Sequence, residues 1–309
     1  MKRERAGLIF AGLCAVNGAV LPSIAKLTTG EAPALFVATA TISVAALAAL
    51  AMLIARGELG AIVDRRNRLS LWLTGALGTA GANLLFYIGA SRSTAIETVL
   101  CLQAEPAYSL LLAWLFLGHR PTLRRVVATF VLLGGIALAI GAPGGSRSTG
   151  VWALLATPLC WQASHLLVLR RLSGISPFVL TAGRYLHGAW LLVAFWLILG
   201  ERGELAALQR VGTFVPALLL QGIVLSYLGT LVWYQALIRL DLARTTAIVV
   251  PSIPLLSLGA SFLILGEVPT PQQALGVVCT AGGVLAFVTA PRVVPREIAE
   301  PPPDPRSEI

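Results

Sequence analysis

Charge is what this chain has least of. Only 12% of its 309 residues are Asp, Glu, Lys or Arg, against about 25% in a water-soluble domain. With 57% hydrophobic residues and a mean hydropathy of +0.83, there is too little polar surface to clothe a soluble globule. Cysteine and histidine are scarce too. Cys14, Cys101, Cys160 and Cys279 stand alone in apolar runs, with no Cys-x-x-Cys pair and no histidine at ligand spacing, so they read as buried free thiols and no metal site is expected. The chain has three histidines and three aspartates, and it lacks any His-Glu-x-x-His, Gly-x-Ser-x-Gly or phosphate-loop string. No catalytic set and no cofactor are therefore expected. The net charge of +9 does not point to nucleic acid, because the arginines lie in short gaps between apolar runs rather than in a patch with exposed aromatics.

What the chain does have is long apolar runs. A helix needs about 20 such residues to cross roughly 30 Å of hydrocarbon. Ten segments qualify: 6–27, 34–54, 69–90, 93–117, 122–141, 150–170, 176–199, 212–238, 241–265 and 271–289. The first follows Lys2, Arg3 and Arg5 and superficially resembles a signal peptide. Its length and the lack of a small-x-small cleavage site make it a retained helix. The expected fold class is an all-α integral membrane protein with short connections that carry turn residues such as Gly30, Pro33, Pro121, Pro177 and Pro269.

Basic residues set the expected orientation through the positive-inside rule. With the N-terminus in the cytoplasm, seventeen fall on the cytoplasmic side, among them Arg56, Arg65, Arg66, Arg68, Arg124, Arg125, Arg170 and Arg171. Five fall outside: Lys26, Arg92, Arg147, Arg202 and Arg210. Both termini are therefore expected in the cytoplasm. Arg184 is the one basic residue left within a span.

The chain also repeats itself. Residues 93–141 align with 241–289 at an offset of 148, setting Pro106 on Pro254, Leu117-Gly118 on Leu265-Gly266, Pro121-Thr122 on Pro269-Thr270, and Gly134-Gly135 on Gly282-Gly283. Nearer the start of each half an offset of 144 fits better, with Pro33 on Pro177. The units are 1–146 and 147–290, each of five spans. An odd number of spans makes the second unit enter the membrane from the opposite side, giving two inverted five-helix repeats. Duplicated, proline-interrupted helices in inverted halves point to a transport site. Both prolines are expected to break their spans beside a cavity. The tail, 291–309, holds six prolines and is expected to be disordered and cytoplasmic.

Glu105 leads the candidate site residues. An ionised carboxylate at mid-span costs about 2.5–3.5 kcal/mol on insertion scales, so it must pair, face water or take up a proton. Proton coupling would use such a group; the alternative is a hydrogen bond that holds a neighbouring helix. Pro106 is expected to free the Leu102 carbonyl one turn earlier. Arg184 and His187 share a helix face, and the arginine could bind an anionic substrate group, pair with Glu105 or snorkel toward the headgroups. Trp161, Gln162 and His165 form a polar and aromatic cluster with Asn17 as an approximate counterpart, fit either to line a pocket or to join helices. Pro254, with Pro251 and Ser252, is expected to open the ninth span. Glu97 and Asp241 read as helix caps, and His119 and its repeat equivalent Glu267 as loop-side structural residues.

The string Ala104-Glu105-Pro106-Ala107 through Leu117-Gly118-His119-Arg120-Pro121-Thr122, with its partner ending Leu265-Gly266-Glu267-Val268-Pro269-Thr270, resembles the EamA family of the drug/metabolite transporter superfamily. The resemblance covers about residues 6–290. It implies a ten-helix carrier of two inverted repeats, in a bacterial cytoplasmic membrane, that exports amino acids or other small metabolites by alternating access. Glu267 keeps the Leu-Gly-Glu ending common in the family, and His119 departs from it. Arg184 matches an arginine the family places early in the second helix of a repeat, where the first half has Ala40. The expected cavity is formed by spans 1, 3, 4, 6, 8 and 9, with span 7 added if Arg184 points inward. A lipid or lipid-linked sugar translocator on the same scaffold, and less favourably a membrane-embedded enzyme, are the competing readings.

Overall fold

A computed structural model describes residues 2–118, 120–141, 145–172, 174–200, 212, 215–240 and 242–290. His119, Asp241 and the tail from Pro291 lie outside the described residues. Among the described residues there are no strands, and ten helices are long and apolar enough to span a membrane. Hydrocarbon offers no partner to a backbone N–H or C=O, so each span has to satisfy its own backbone, and a helix does so. We label them α1 (Lys2–Glu31), α2 (Ala34–Ala55), α3 (Arg65–Arg92), α4 (Ala95–Leu102 and Glu105–Leu117), α5 (Leu123–Ile140), α6 (Gly145–Arg171), α7 (Pro177–Leu199), α8 (Leu220–Leu228 running into Gly229–Leu240), α9 (Leu242–Leu265) and α10 (Pro271–Val288). Large apolar side chains such as Leu123, Leu197, Ile198 and Leu263 face outward, as lipid contact requires.

The repeated Leu-Gly…Pro-Thr motif is a helix stop followed by a helix start. Gly118 and Gly266 end their helices at φ +68° and +67°, a left-handed conformation that glycine adopts without a Cβ clash. Thr122 and Thr270 then cap the next helices, their hydroxyls accepting from Arg125 N at 3.3 Å and Gln273 N at 3.2 Å. One short motif thus turns the chain back into the membrane at the same point of each half.

Packing follows the repeat. The closest helix pairs are α5 with α10, α2 with α7, α3 with α6, and α1 with both α8 and α9. Moving each helix five places along sends α5/α10 and α2/α7 onto themselves and α3/α6 onto α8/α1. Of the paired glycines, Gly135 and Gly283 form the α5/α10 seam, where an added Cβ would stand 2.6 Å from Thr280 N and from Leu132 N respectively. Gly134 and Gly282 have open space instead. Contacts between helix ends define two ends of the bundle: a proximal end with the N-terminus, where Arg124 donates to Thr289, and a distal end, where Lys26 reaches the Ser91 carbonyl.

Two expectations about the prolines are corrected. The helix of α9 is continuous from Leu242 to Leu265 through both Pro251 and Pro254. Each proline forfeits one ladder bond, leaving the Ala247 and Val250 carbonyls without their i+4 donor, yet the helix runs on through both. Only the first copy is interrupted, and the interruption at Gln103–Ala104 precedes Pro106. Pro106 lies in the first turn of the second piece of α4, where a missing N–H costs no helix bond, so it starts a helix rather than kinking one. An irregularity that the pattern did not announce is a stretch of π-helix in α3 (Ala76–Gly81) and another in α8 (Leu220–Leu228), at corresponding places in the two halves.

Candidate functional site

The break in α4 sets Glu105 at the start of a new helix. Gln103 N donates to Leu100 O at 3.0 Å and Ala104 N to Cys101 O at 3.1 Å, closing the first piece with a tight turn. Ala107 N and Tyr108 N then donate to Ala104 O and open the second. This turn projects the Glu105 side chain to α6, where Gln162 Nε2 donates to its Oε1 at 2.6 Å. Next to the break, Gln103 is buried and its Oε1 has no partner.

One helical turn past Gln162 on α6 stands His165, and Arg184 of α7 lies within electrostatic range of it. The guanidinium donates through Nη2 to the carbonyl of Gly78 at 3.2 Å. Gly78 belongs to the π-helix of α3, whose widened turn leaves carbonyls free for outside donors. The helices meet closely here: a Cβ on Gly78 would stand 2.3 Å from Ser164 Oγ, and Ser164 Oγ itself donates to Thr74 O at 3.3 Å. A chain of polar groups therefore crosses the bundle from α4 through α6 to α7 and α3. Glu105 is part-exposed and His165 exposed, so neither is sealed in the packed core.

The other sequence candidates fall in different places. Arg184 does not bond Glu105. His187, one turn from Arg184, packs its Cβ against Gly75 of α3, and its Nε2 is buried without a partner. Trp161 is half-buried on α6 beside Gln162. Asn17 of α1 is bonded to the other half, its Nδ2 donating to Val224 O of the α8 π-helix at 3.1 Å. Asn17 on Val224 and Arg184 on Gly78 are thus the same device, a side-chain donor on a π-helix carbonyl. Pro254 is buried in α9, and Ile253 beside it fills the notch at Gly18 of α1, Cδ1 standing 2.8 Å from where a Cβ would be. The polar chain is built from spans 3, 4, 6 and 7, with spans 1 and 8 joined beside it through Asn17 and span 9 packed on span 1 through Ile253.

Two apolar grooves, of about 390 and 400 Å³, lie elsewhere, along α5/α10 and between α2, α7 and α8. Neither touches Glu105, Gln162, His165 or Arg184. Among the described residues no group of three or more His, Cys, Asp or Glu could hold a metal ion. Sequence reasoning placed Gln162 in a cluster without pairing it to Glu105, and it passed over Gln103 and Ser164. Gln103 had one available signal, a polar side chain two residues before Glu105 in an otherwise apolar span.

Comparison with known proteins follows the same outline. The sequence model of the EamA-like transporter family matches the chain twice, over residues 5–141 and 148–289. A protein of Streptantibioticus cattleyicolor named "Probable terminal-alkyne amino-acid exporter" is 29% identical over 255 residues, 81% of this chain and 83% of the relative. The uncharacterized protein PA1977 of Pseudomonas aeruginosa is 30% identical over 224 residues, 70% of this chain and 74% of its own length. The uncharacterized transporter YyaM of Bacillus subtilis is 24% identical over 301 residues, 95% of this chain and 96% of its own. A solved crystal structure, 18% identical, shares the fold at a TM-score of 0.63 over 92% of this chain and 96% of that one.

Proposed function

The chain belongs to the EamA-like transporter family, and on that premise we propose that it is a secondary carrier that moves a small polar metabolite, an amino acid or a close relative, out of the cell by alternating access. The observation that carries this reading is the polar chain at mid-bundle. Glu105, Gln162, His165 and Arg184 gather hydrogen-bonding and charged groups along one line between helices whose outer faces are apolar. Ionisable groups at that depth are expensive and are retained where they face a solute path. A zwitterion suits such a set of groups, since its ammonium can meet Glu105 and its carboxylate the cationic side at Arg184. The name of the 29%-identical relative supports the amino-acid class and the outward direction.

Five spans in each unit make the second enter from the opposite face, so the halves form an inverted pair able to exchange conformations around one central site. The excess of basic residues at the proximal end supports a cytoplasmic location for both termini. We place the protein in a bacterial cytoplasmic membrane, with Glu105 as its proton-coupling group. The test is counterflow: purified protein in liposomes, loaded with each member of a panel of amino acids, nucleosides and cationic drugs, should accumulate labelled amino acid. Accumulation of none of the panel would remove the metabolite reading. Competition by lipid alone would favour a lipid translocator.

A further inference from the structure

We propose that Glu267 is a positioning residue of the transport cycle: its carboxylate, supplied by the second half of the chain, latches the start of α4 and holds the distal end shut over Glu105. The inference rests on the alternating-access reading above.

The start of a helix leaves backbone N–H groups without partners inside the helix. At Ala95–Leu102 they are taken in an unusual way. Glu97 Oε2 accepts from Thr94 N and Thr94 Oγ1 accepts from Glu97 N, both at 3.1 Å, a capping box made of local residues. The two donors between them go to Glu267. Ala95 N donates to its Oε1 and Oε2 at 3.2 and 3.1 Å, and Ile96 N to Oε2 at 3.4 Å. Glu267 stands in the turn between α9 and α10, so these bonds tie the two halves together. A carboxylate at the positive end of a helix makes charge-assisted bonds, stronger than neutral ones.

The piece of α4 so held carries Ile96, Val99, Leu100 and Cys101, all at most 1% exposed, and leads through the break to Glu105. Other polar contacts close the same end: Lys26 Nζ on Ser91 O at 3.3 Å, Ser23 with Ser261 at 3.3 Å, and Thr28 and Thr41 on buried Gln221. The second piece of α4, toward the proximal end, has Pro106 as its one buried residue among the described side chains. The distal end of α4 is thus fastened across the two halves by Glu267, whereas at its proximal end the Phe116 carbonyl accepts from Arg170 of its neighbour α6. For the Glu105 region to open toward the distal end, Glu267 has to leave Ala95 and Ile96. The repeat sets His119 against Glu267, so one copy alone supplies the carboxylate, and the distally closed state is the favoured one.

The test is site-directed labelling with a membrane-impermeant maleimide, applied to each face of vesicles, in protein whose four native cysteines are replaced by alanine. Ser93→Cys reports the distal end, where Ser93 is 4% exposed and its hydroxyl is unpaired. Tyr108→Cys reports the second piece of α4. Glu267→Ala should raise labelling at position 93 about tenfold, the shift expected from losing a charge-assisted hydrogen bond, and lower it at position 108. Glu267→Gln keeps an acceptor oxygen and should fall between; it carries the test if the alanine variant does not fold. His119→Glu should shift both labels the opposite way. Unchanged labelling, or a rise at both positions together, would overturn the latch. The reciprocal shift in a protein without counterflow would keep the latch and remove the carrier reading; counterflow with unchanged labelling would do the reverse.

Discussion

Gln162 on α6 holds Glu105 on α4 through a 2.6 Å hydrogen bond, and the corresponding contact in the other half joins Ile253 on α9 to Gly18 on α1. At offsets of 148 and 144 these are the same helix contact made twice, once polar and once apolar. The apolar copy is a packed joint between helices. The polar copy alone carries an ionisable side chain, so the proposed proton step falls in the first half.

Glu105→Gln and Gln162→Leu separate charge from pairing. The first keeps a partner for Gln162 and should fold normally while transport falls. The second leaves a carboxylate without its donor, which costs about 1–3 kcal/mol. Thermal unfolding in detergent, read beside uptake, should show Gln162→Leu losing both stability and transport and Glu105→Gln losing transport alone. Equal stability losses would make the contact merely structural.

Proton coupling through Glu105 has its own consequence. Uptake by the parent protein should follow an imposed pH gradient, and uptake by Glu105→Gln should not. A residual rate in the variant that keeps the full pH dependence would move the proton step to another group.

Gly78 is fixed by sterics. Gly78→Ala would set a Cβ 2.3 Å from Ser164 Oγ and 2.6 Å from Ser164 Cβ, an overpacking that costs about 1–3 kcal/mol. Ser164→Gly should restore stability in the double variant, whereas Ser164→Ala should not, since the clashing Cβ remains. Gly134→Ala faces open space and should be neutral or stabilising, by up to about 1 kcal/mol.

The two prolines should behave differently in the same assay. Pro254→Ala returns an N–H to the interior of a continuous helix and should raise stability, by up to about 3 kcal/mol. Pro106→Ala acts in a first turn and should change stability by less than about 0.5 kcal/mol. Similar shifts in both would mean that α4 is not broken before Pro106.

The ten spans were readable because length and apolarity are one-dimensional signals, and α1 to α10 lie close to the predicted segments. The Leu-Gly…Pro-Thr motif was readable as turns for the same reason: Gly118 and Thr122 act through their own backbones. What escaped the sequence depends on neighbours. Pro254 looked like a break, yet it is buried in the bundle and α9 runs through it unbroken. The π-helices of α3 and α8 bear no local pattern of their own and are stabilised by distant donors, Arg184 and Asn17. Glu267 read as a loop residue because its partners, Ala95 and Ile96, lie more than half the chain away. Of the candidate site, Glu105, His165 and Arg184 were visible as costly groups in apolar spans. Their order along one polar chain was not, because it depends on how α3, α4, α6 and α7 pack.

The most direct test of the account is amino-acid counterflow measured side by side in liposomes holding the parent protein and Glu105→Gln at matched insertion. The account predicts robust counterflow for the parent and a rate lower by about tenfold or more for the variant, the loss expected when one charged hydrogen-bonding group is removed. Equal rates in the two, or no counterflow by the parent, would contradict it.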